Sequence, residues 1–266
     1  MEEYMMYIES LVLEITRKCS CACSHCLRGD SQEMDMPFEL IPKIFNGIES
    51  VENLTFSGGE PSLNIPFMEE TLKYCKKNDI DIKSIYVVTN GLQNQIELVK
   101  AMDDWLIYCV SRFGNCNPDD HLAMWDAYSE YMEECMFGLS CSVDQFHPEM
   151  EKNVYRAFSH VPYYSNQKEG RFAENKMEYG KILIKEGNAY LSGYDGIQSD
   201  SIDSFYSDDN MVENVYVSSK GYVFSDCDHS YETYDEYSTD LNNIQLYSIM
   251  QIINNVIAAK AMPIAV

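Results

Sequence analysis

The chain has 266 residues, 45% of them hydrophobic, and a formal net charge of −24 from 19 Lys+Arg against 43 Asp+Glu. That length suits one large domain, or one domain with a modest appendage. The charge argues against a broad basic face for nucleic-acid phosphates and against an acidic membrane surface; it leaves solubility, or attraction of a basic peptide or protein, as its use.

The opening stretch MEEYMMYIES is acidic and carries no apolar run of signal-peptide length, so no export signal is expected. No window reaches the ~20 continuous apolar residues of a membrane span. The ten cysteines are therefore expected in a reducing cytoplasm, where clustered cysteines mean metal or catalysis more often than disulfides. Six of them, Cys75, Cys109, Cys116, Cys135, Cys141 and Cys227, are scattered and read as buried filler.

In chain order, YIESLVLEIT (7–16) reads as a strand and leads directly into the cysteine-rich loop RKCSCACSHCLRGD. PFELIPKIFNGIES shows helical spacing, with Phe38, Ile41, Ile44, Phe45 and Ile48 on one face. ENLTFSGGEPSL is a short strand running into a glycine turn, IPFMEETLKYCKKND a helix with a basic last turn, IKSIYVVTNGL a strand ending in Asn-Gly, and NQIELVKAMDDWL a third helix. DDHLAMWDAYSEYMEEC reads as helix, MFGLSCSVDQFHPEM as a fourth strand ending near Asp144, and EKNVYRAFSHV as helix. KILIKEGNAYLS is a fifth strand or a hairpin. The stretch 191–240 holds twelve acidic residues and one basic, Lys220, and reads as a solvated acidic surface. Within it NVYVSSKGYVFSDC alternates around a Lys-Gly turn and predicts a β-hairpin, and LNNIQLYSIMQIINNVIAAK a closing amphipathic helix. The result is β-α alternation with a chemically loaded loop after each early strand. That pattern argues a parallel sheet with helices outside it, whose ligands sit at the C-terminal ends of the strands. A core over 1–190 with an acidic extension over 191–266 is the expected division.

The cysteine spacing is informative. Cys19-x3-Cys23-x2-Cys26 leaves Cys21 out, and no second Cys-x2-Cys or His-x3-His recurs downstream to complete a structural zinc site. Three thiolates on a compact loop suit three corners of an iron–sulfur cube. Ordinary electron-transfer clusters use four cysteines, so three leave one iron free to bind something else.

Here the sequence resembles the radical S-adenosylmethionine (SAM) superfamily, whose signature C-x3-C-x-Φ-C is matched by CSCACSHC with His25 at Φ. The resemblance extends in order to FSGGEP (Phe56 to Pro61), VVTNG (Val87 to Gly91) and SCSVDQFH (Ser140 to His147), covering roughly residues 10–147. It implies an α/β fold, a partial (β/α)6 TIM-like barrel. It implies a 4Fe–4S cluster on Cys19, Cys23 and Cys26, with SAM chelating the fourth iron, and leaves Cys21 as a spare thiol or a site of ligand exchange or oxidation. Gly58 and Gly59 would let the backbone approach SAM, with Glu60 and Pro61 supporting the turn that receives its ammonium. Thr89 and Asn90 would meet its carboxylate or sugar. Ser142 and Asp144, two apart and so on one side of a strand, would meet the ribose hydroxyls or the carboxylate. His147 either reaches the cavity or packs on the surface.

Farther along, EGRFAEN and GYVFSDC…LNNI are similar to the tails of peptide-modifying members, although Cys227 alone in that tail disfavours an auxiliary cluster. The implied activity is reductive cleavage of SAM to a 5′-deoxyadenosyl radical that takes hydrogen from a peptide or protein, with an electron from a flavodoxin- or ferredoxin-type donor. A small metabolite and a glycyl-radical enzyme are the alternative substrates. Cys141, Cys227 and several tyrosines are candidates to return a hydrogen atom; no catalytic residue is assigned. Two non-enzymatic readings stand beside this: an iron–sulfur or zinc binding module, and a degenerate barrel that binds a partner through its acidic face.

Overall fold

The computed structural model describes residues 6–143, 146–166, 183–208 and 211–261. Eight strands form one sheet: β1 (Met6–Thr16), β2 (Ile48–Gly58), β3 (Asp81–Thr89), β4 (Gly138–Cys141), β5 (Tyr163–Asn166), β6 (Ser207–Asp208), β7 (Met211–Val217) and β8 (Val223–Phe224). Six run parallel in the order β5-β4-β3-β2-β1-β7, and β6 and β8 pair antiparallel with β7. The helices are α1 (Ile41–Ile44), α2 (Ile65–Asn78), α3 (Gln95–Phe113), α4 (His121–Glu134), α5 (Lys152–Phe158), α6 (Gly187–Leu191), α7 (Tyr231–Glu236) and α8 (Ile249–Ala261). The expected α/β class with a parallel sheet is what these elements build.

Alternation along the strands divides the sheet into two faces. Leu11, Leu13 and Ile15 of β1, Leu54 and Phe56 of β2, and Ile85 and Val87 of β3 are fully buried. α3 covers that face with Leu98, Met102, Trp105 and Cys109, spaced for one helical stripe, and the Trp105 ring lies 5.7 Å from that of Phe56. The intervening residues Ser10, Val12, Thr55, Ser57 and Val88 are half-buried and line a cavity instead.

Four segments differ from the sequence reading. The helix expected over 37–50 is only a 3-10 turn, Phe38–Leu40, and the single turn α1. Pro42 fits a first turn but no later one, and Gly47 at φ +78° ends the segment, so that β2 starts at Ile48 opposite Met6. The apolar residues Ile41, Ile44, Phe45 and Ile48 are buried all the same. β4 stops at Cys141, before Ser142. In KILIKEGNAYLS, residues 181–182 lie outside the described ones, Ile184 makes a lone parallel bridge to Ile197, and Gly187–Leu191 is helical. The closing helix begins at Ile249, with a separate 3-10 turn at Asp240–Asn242. The hairpin around the Lys-Gly turn is present as β7–β8, and β7 adds a parallel neighbour to β1.

A buried ionic network ties that C-terminal strand to the first. Glu14 of β1 is fully buried and accepts from Arg17 Nε at 2.7 Å, from the Ser219 backbone N–H at 3.0 Å and hydroxyl at 2.7 Å, and from the Tyr216 hydroxyl. A buried ion pair is weak evidence of net stability, but removing one partner strands the other charge. Glu14→Ala is therefore expected to destabilise the chain by about 3–5 kcal/mol, read as a lower denaturant midpoint, whereas Glu49→Ala, at the exposed Tyr7 contact, should change little.

Candidate functional site

The C-terminal ends of β1, β2 and β3 converge on a cavity of about 480 Å³. Its wall carries Cys19, Cys21, Cys23 and Cys26 from the loop after β1, Gly58 and Gly59 from β2, Thr89 and Asn90 from β3, and Ser142 and His147 from beyond β4. Among the residues singled out from sequence, Glu60 and Pro61 lie buried outside this lining, and Asp144 lies outside the described residues. Ser142 stands past the end of β4 rather than on it, held because its N–H donates to the Thr89 carbonyl at 2.8 Å.

The glycine pair has a use the sequence did not show. A Cβ on Gly58, at φ +143°, would sit 2.1 Å from the Thr16 carbonyl oxygen, and one on Gly59 would sit 2.3 Å from that of Lys18. The close approach is to the end of β1. There Gly59 N–H donates to Thr16 O and Glu60 N–H to Lys18 O, each at 2.8 Å. The turn is thereby stitched to the strand from which the cysteine loop departs.

Glu60 joins this turn to β3. Its buried carboxylate accepts from Ser62 N–H at 3.1 Å, Thr89 Oγ1 at 2.7 Å and Asn90 N–H at 2.6 Å. Burial raises its pKa, against the lowering effect of those hydrogen bonds. Asn90, so fixed, points its amide at the cysteine loop, donating toward Ser20 Oγ at 3.4 Å, Cys21 Sγ at 3.6 Å and Cys19 Sγ at 3.7 Å. Burial also pushes the Cys19 thiol up to about 11.

Cys21, Cys23 and His147 bring ligand atoms within 4.8 Å of one another, with His147 Nε2 3.5 Å from Cys23 Sγ. His147 thus reaches the cavity. His25, at the Φ position, is 5% exposed and stacks on Phe146 at 4.3 Å, so an aromatic ring there anchors the cysteine loop to the segment after β4. Cys141 is buried in the core beneath Gly91, whereas Cys227 lies on the cavity wall, its thiol pushed up to about 11 by burial. Ser10, Val12 and Cys227 are shared with a second cavity of about 450 Å³ that also carries Asp200, Ser201, Ser204 and Asp226.

Sequence reasoning missed Arg17, Arg28 and Tyr231, all on the same wall. Arg28 is buried, donates to the His229 carbonyl at 2.8 Å and the Tyr234 hydroxyl at 3.2 Å, and lies over the rings of Tyr216 and Tyr234. A charged side chain next to the cysteine loop was a visible signal for the two arginines. Tyr231, more than two hundred positions downstream, offered none. Among the described residues no helix is long and apolar enough to cross a membrane.

A sheet of parallel strands with a four-cysteine loop, a glycine turn and an Asn-Gly turn at one end defines a cofactor-binding α/β architecture. Residues 13–110 match the family model described as Radical SAM superfamily. The chain is similar to the uncharacterized protein MJ0907 of Methanocaldococcus jannaschii, 28% identical over 103 residues, which are 36% of this chain and 36% of that one. It thus spans about a third of the length of that curated relative. Among solved structures it is similar to "Native anSMEcpe with bound AdoMet and Cp18Cys peptide", at 16% identity and a TM-score of 0.42 over 92% of this chain and 80% of that chain. It is also similar to SuiB of Streptococcus suis, at 13% identity and a TM-score of 0.40 over 95% of this chain and 67% of that chain.

The cofactors that this superfamily implies are a 4Fe–4S cluster and SAM, and the cavity fits them. Soft thiols line it, together with residues whose buried donors have no partner among the described residues. Cys23→Ala is expected to abolish iron and sulfide retention after anaerobic reconstitution, while Cys21→Ala retains both; iron and sulfide analysis decides between them. Gly59→Ala, which drives a Cβ into the Lys18 carbonyl, should lower stability by about 1–3 kcal/mol and weaken cluster retention in parallel, as followed by thermal denaturation and the cluster's visible absorbance.

Proposed function

We propose that the chain is a radical SAM enzyme acting on a peptide or protein. The observation that carries this reading is the convergence of the cysteine loop, Gly58–Gly59, Thr89–Asn90 and Ser142 on one cavity at the strand ends. Cys19, Cys23 and Cys26 would hold three irons of the cluster. A cluster held there would supply the electron for reductive cleavage of SAM to methionine and a 5′-deoxyadenosyl radical. The backbone at Gly58 and Gly59 accepts the ammonium of SAM, Asn90 orients its polar end, and Ser142 meets the ribose. Glu60 binds none of these groups directly; it fixes the turn and Asn90 relative to each other. The buried rings of Tyr231 and His25 exclude water from the wall on which the thiols stand.

The substrate class is argued from the second cavity. It opens beside the first at Cys227 and presents Asp200 and Asp226 among serine hydroxyls, which suits a polar chain bearing positive charge. Cys227 is the cysteine placed to give a hydrogen atom to a substrate radical there, since Cys141 is sealed in the core. The electron would come from a flavodoxin- or ferredoxin-type protein, and the expected setting is the cytoplasm.

One observation favours a second reading, a metal-binding module: the grouping of Cys21, Cys23 and His147 is of the kind that takes a single soft ion. One experiment separates the two. Protein reconstituted anaerobically with iron and sulfide is given dithionite and SAM, and 5′-deoxyadenosine is measured by mass spectrometry. Its formation, dependent on dithionite, SAM and cluster together, is the expected result. One tightly held zinc per chain with no SAM cleavage would establish the module instead.

A further inference from the structure

Two residues that line the cysteine cavity carry buried donors with no hydrogen-bond partner among the described residues. Arg17 is fully buried; its Nε donates to Glu14 and its Nη1 to Gln32 and Asp235, both at 3.1 Å. Its Nη2 has no hydrogen-bond partner among the described residues. Tyr231 is 2% exposed, and its hydroxyl likewise lacks a partner among the described residues. The two belong together: the Arg17 guanidinium lies 4.5 Å over the Tyr231 ring, and both line the cavity beside Cys26. Burying a donor unpaired costs its full desolvation, so two on one wall point to an acceptor that arrives with a ligand. Arg28, on the same wall, reinforces its sign. It is a buried cation with no carboxylate in salt-bridge contact among the described residues, held instead by a carbonyl, a hydroxyl and two aromatic faces.

We propose that Arg17 Nη2 and the Tyr231 hydroxyl are outer-sphere hydrogen-bond donors to the sulfurs of the cluster on Cys19, Cys23 and Cys26, and that with Arg28 they raise its reduction potential. This rests on the radical SAM reading above. Each added electron increases the negative charge on the sulfurs, so donors aimed at them and a nearby cation stabilise the reduced form. In a chain of net charge −24 the Arg28 cation stands on this lining with Asp228, while the charge of Arg17 is matched by Glu14 and Asp235. Arg17 and Tyr231 tune the cluster and do not react. They also couple it to the C-terminal part of the chain, since Tyr231 N–H donates to Arg28 O at 3.0 Å and Arg17 is held by Asp235.

The test is Tyr231→Phe in the full chain, which removes one oxygen and keeps the ring under Arg17. Wild type and variant are reconstituted anaerobically with iron and sulfide, without SAM, and the midpoint potential is read by EPR-monitored titration. The expected result is equal iron and sulfide per chain, a more negative midpoint in the variant, and an unchanged Kd for SAM. The apo variant should melt at the same temperature as wild type or higher, because the lost hydroxyl had no partner. An unchanged midpoint with the cluster intact overturns the proposal. So does a tenfold weaker SAM affinity at unchanged midpoint, which would assign the donors to the carboxylate of SAM. A second readout needs no variant: proton ENDOR of the reduced wild-type cluster should show exchangeable protons that vanish in D₂O, and their absence also overturns it. Wild type that takes up no cluster at all would instead overturn the radical SAM reading.

Discussion

The site depends on one buried carboxylate. Glu60 is fully buried and accepts from Ser62, Thr89 and Asn90, so the end of β2 and the end of β3 cannot move apart without stranding a charge. The same turn donates backbone N–H groups to Thr16 and Lys18, which brings in the end of β1. Three strand ends are thereby locked into one rim. The cysteine loop, long and lacking regular structure, inherits its position from that rim and from Asn90, whose amide reaches back to it. The two glycines are required because the rim closes on backbone, and a single methyl group would be driven into a carbonyl.

The C-terminal part of the chain supplies an equivalent but different anchor. Glu14, two positions before the end of β1, gathers Arg17, Tyr216 and Ser219, and Arg17 in turn reaches Asp235. Arg28, two positions after Cys26, is clasped by the stacked rings of Tyr216 and Tyr234, whose centroids are 4.4 Å apart. The cysteine loop is therefore gripped at both ends by residues from beyond position 210. A C-terminal strand, β7, sits beside β1 in the sheet, so this contact is built into the architecture. The consequence is chemical as well as mechanical. Residues anchored there bring the Arg28 cation, and donors with no partner among the described residues, to the cavity lining beside the thiols.

Much of this was legible in the sequence, for identifiable reasons. Period-two and period-3.6 patterns are strong in β1, β3, α2 and α3 because each buries a whole face. The cysteine spacing and the Gly-Gly-Glu-Pro turn were legible because local chemistry constrains them at short range. The helix expected around Ile41 failed because apolar spacing cannot tell a helix from a turn whose residues are buried anyway, and Pro42 and Gly47 outweighed it. The C-terminal contribution to the site failed for another reason. The hairpin of β7 and β8 was readable, but its parallel pairing with β1 joins segments some two hundred positions apart, and no local pattern encodes that. Arg17 and Tyr231 are single residues with no repeat to mark them, and only the fold places one over the other.

The thiols of Cys19, Cys23 and Cys26 are proposed to hold a cluster with one iron left open toward SAM. Mössbauer spectroscopy of protein reconstituted with ⁵⁷Fe, before and after addition of SAM, tests it most directly. The expected result is a four-iron cluster in which SAM shifts the isomer shift and quadrupole splitting of one iron and leaves the other three as they were. Four irons indifferent to SAM, or a spectrum of isolated iron, would contradict it.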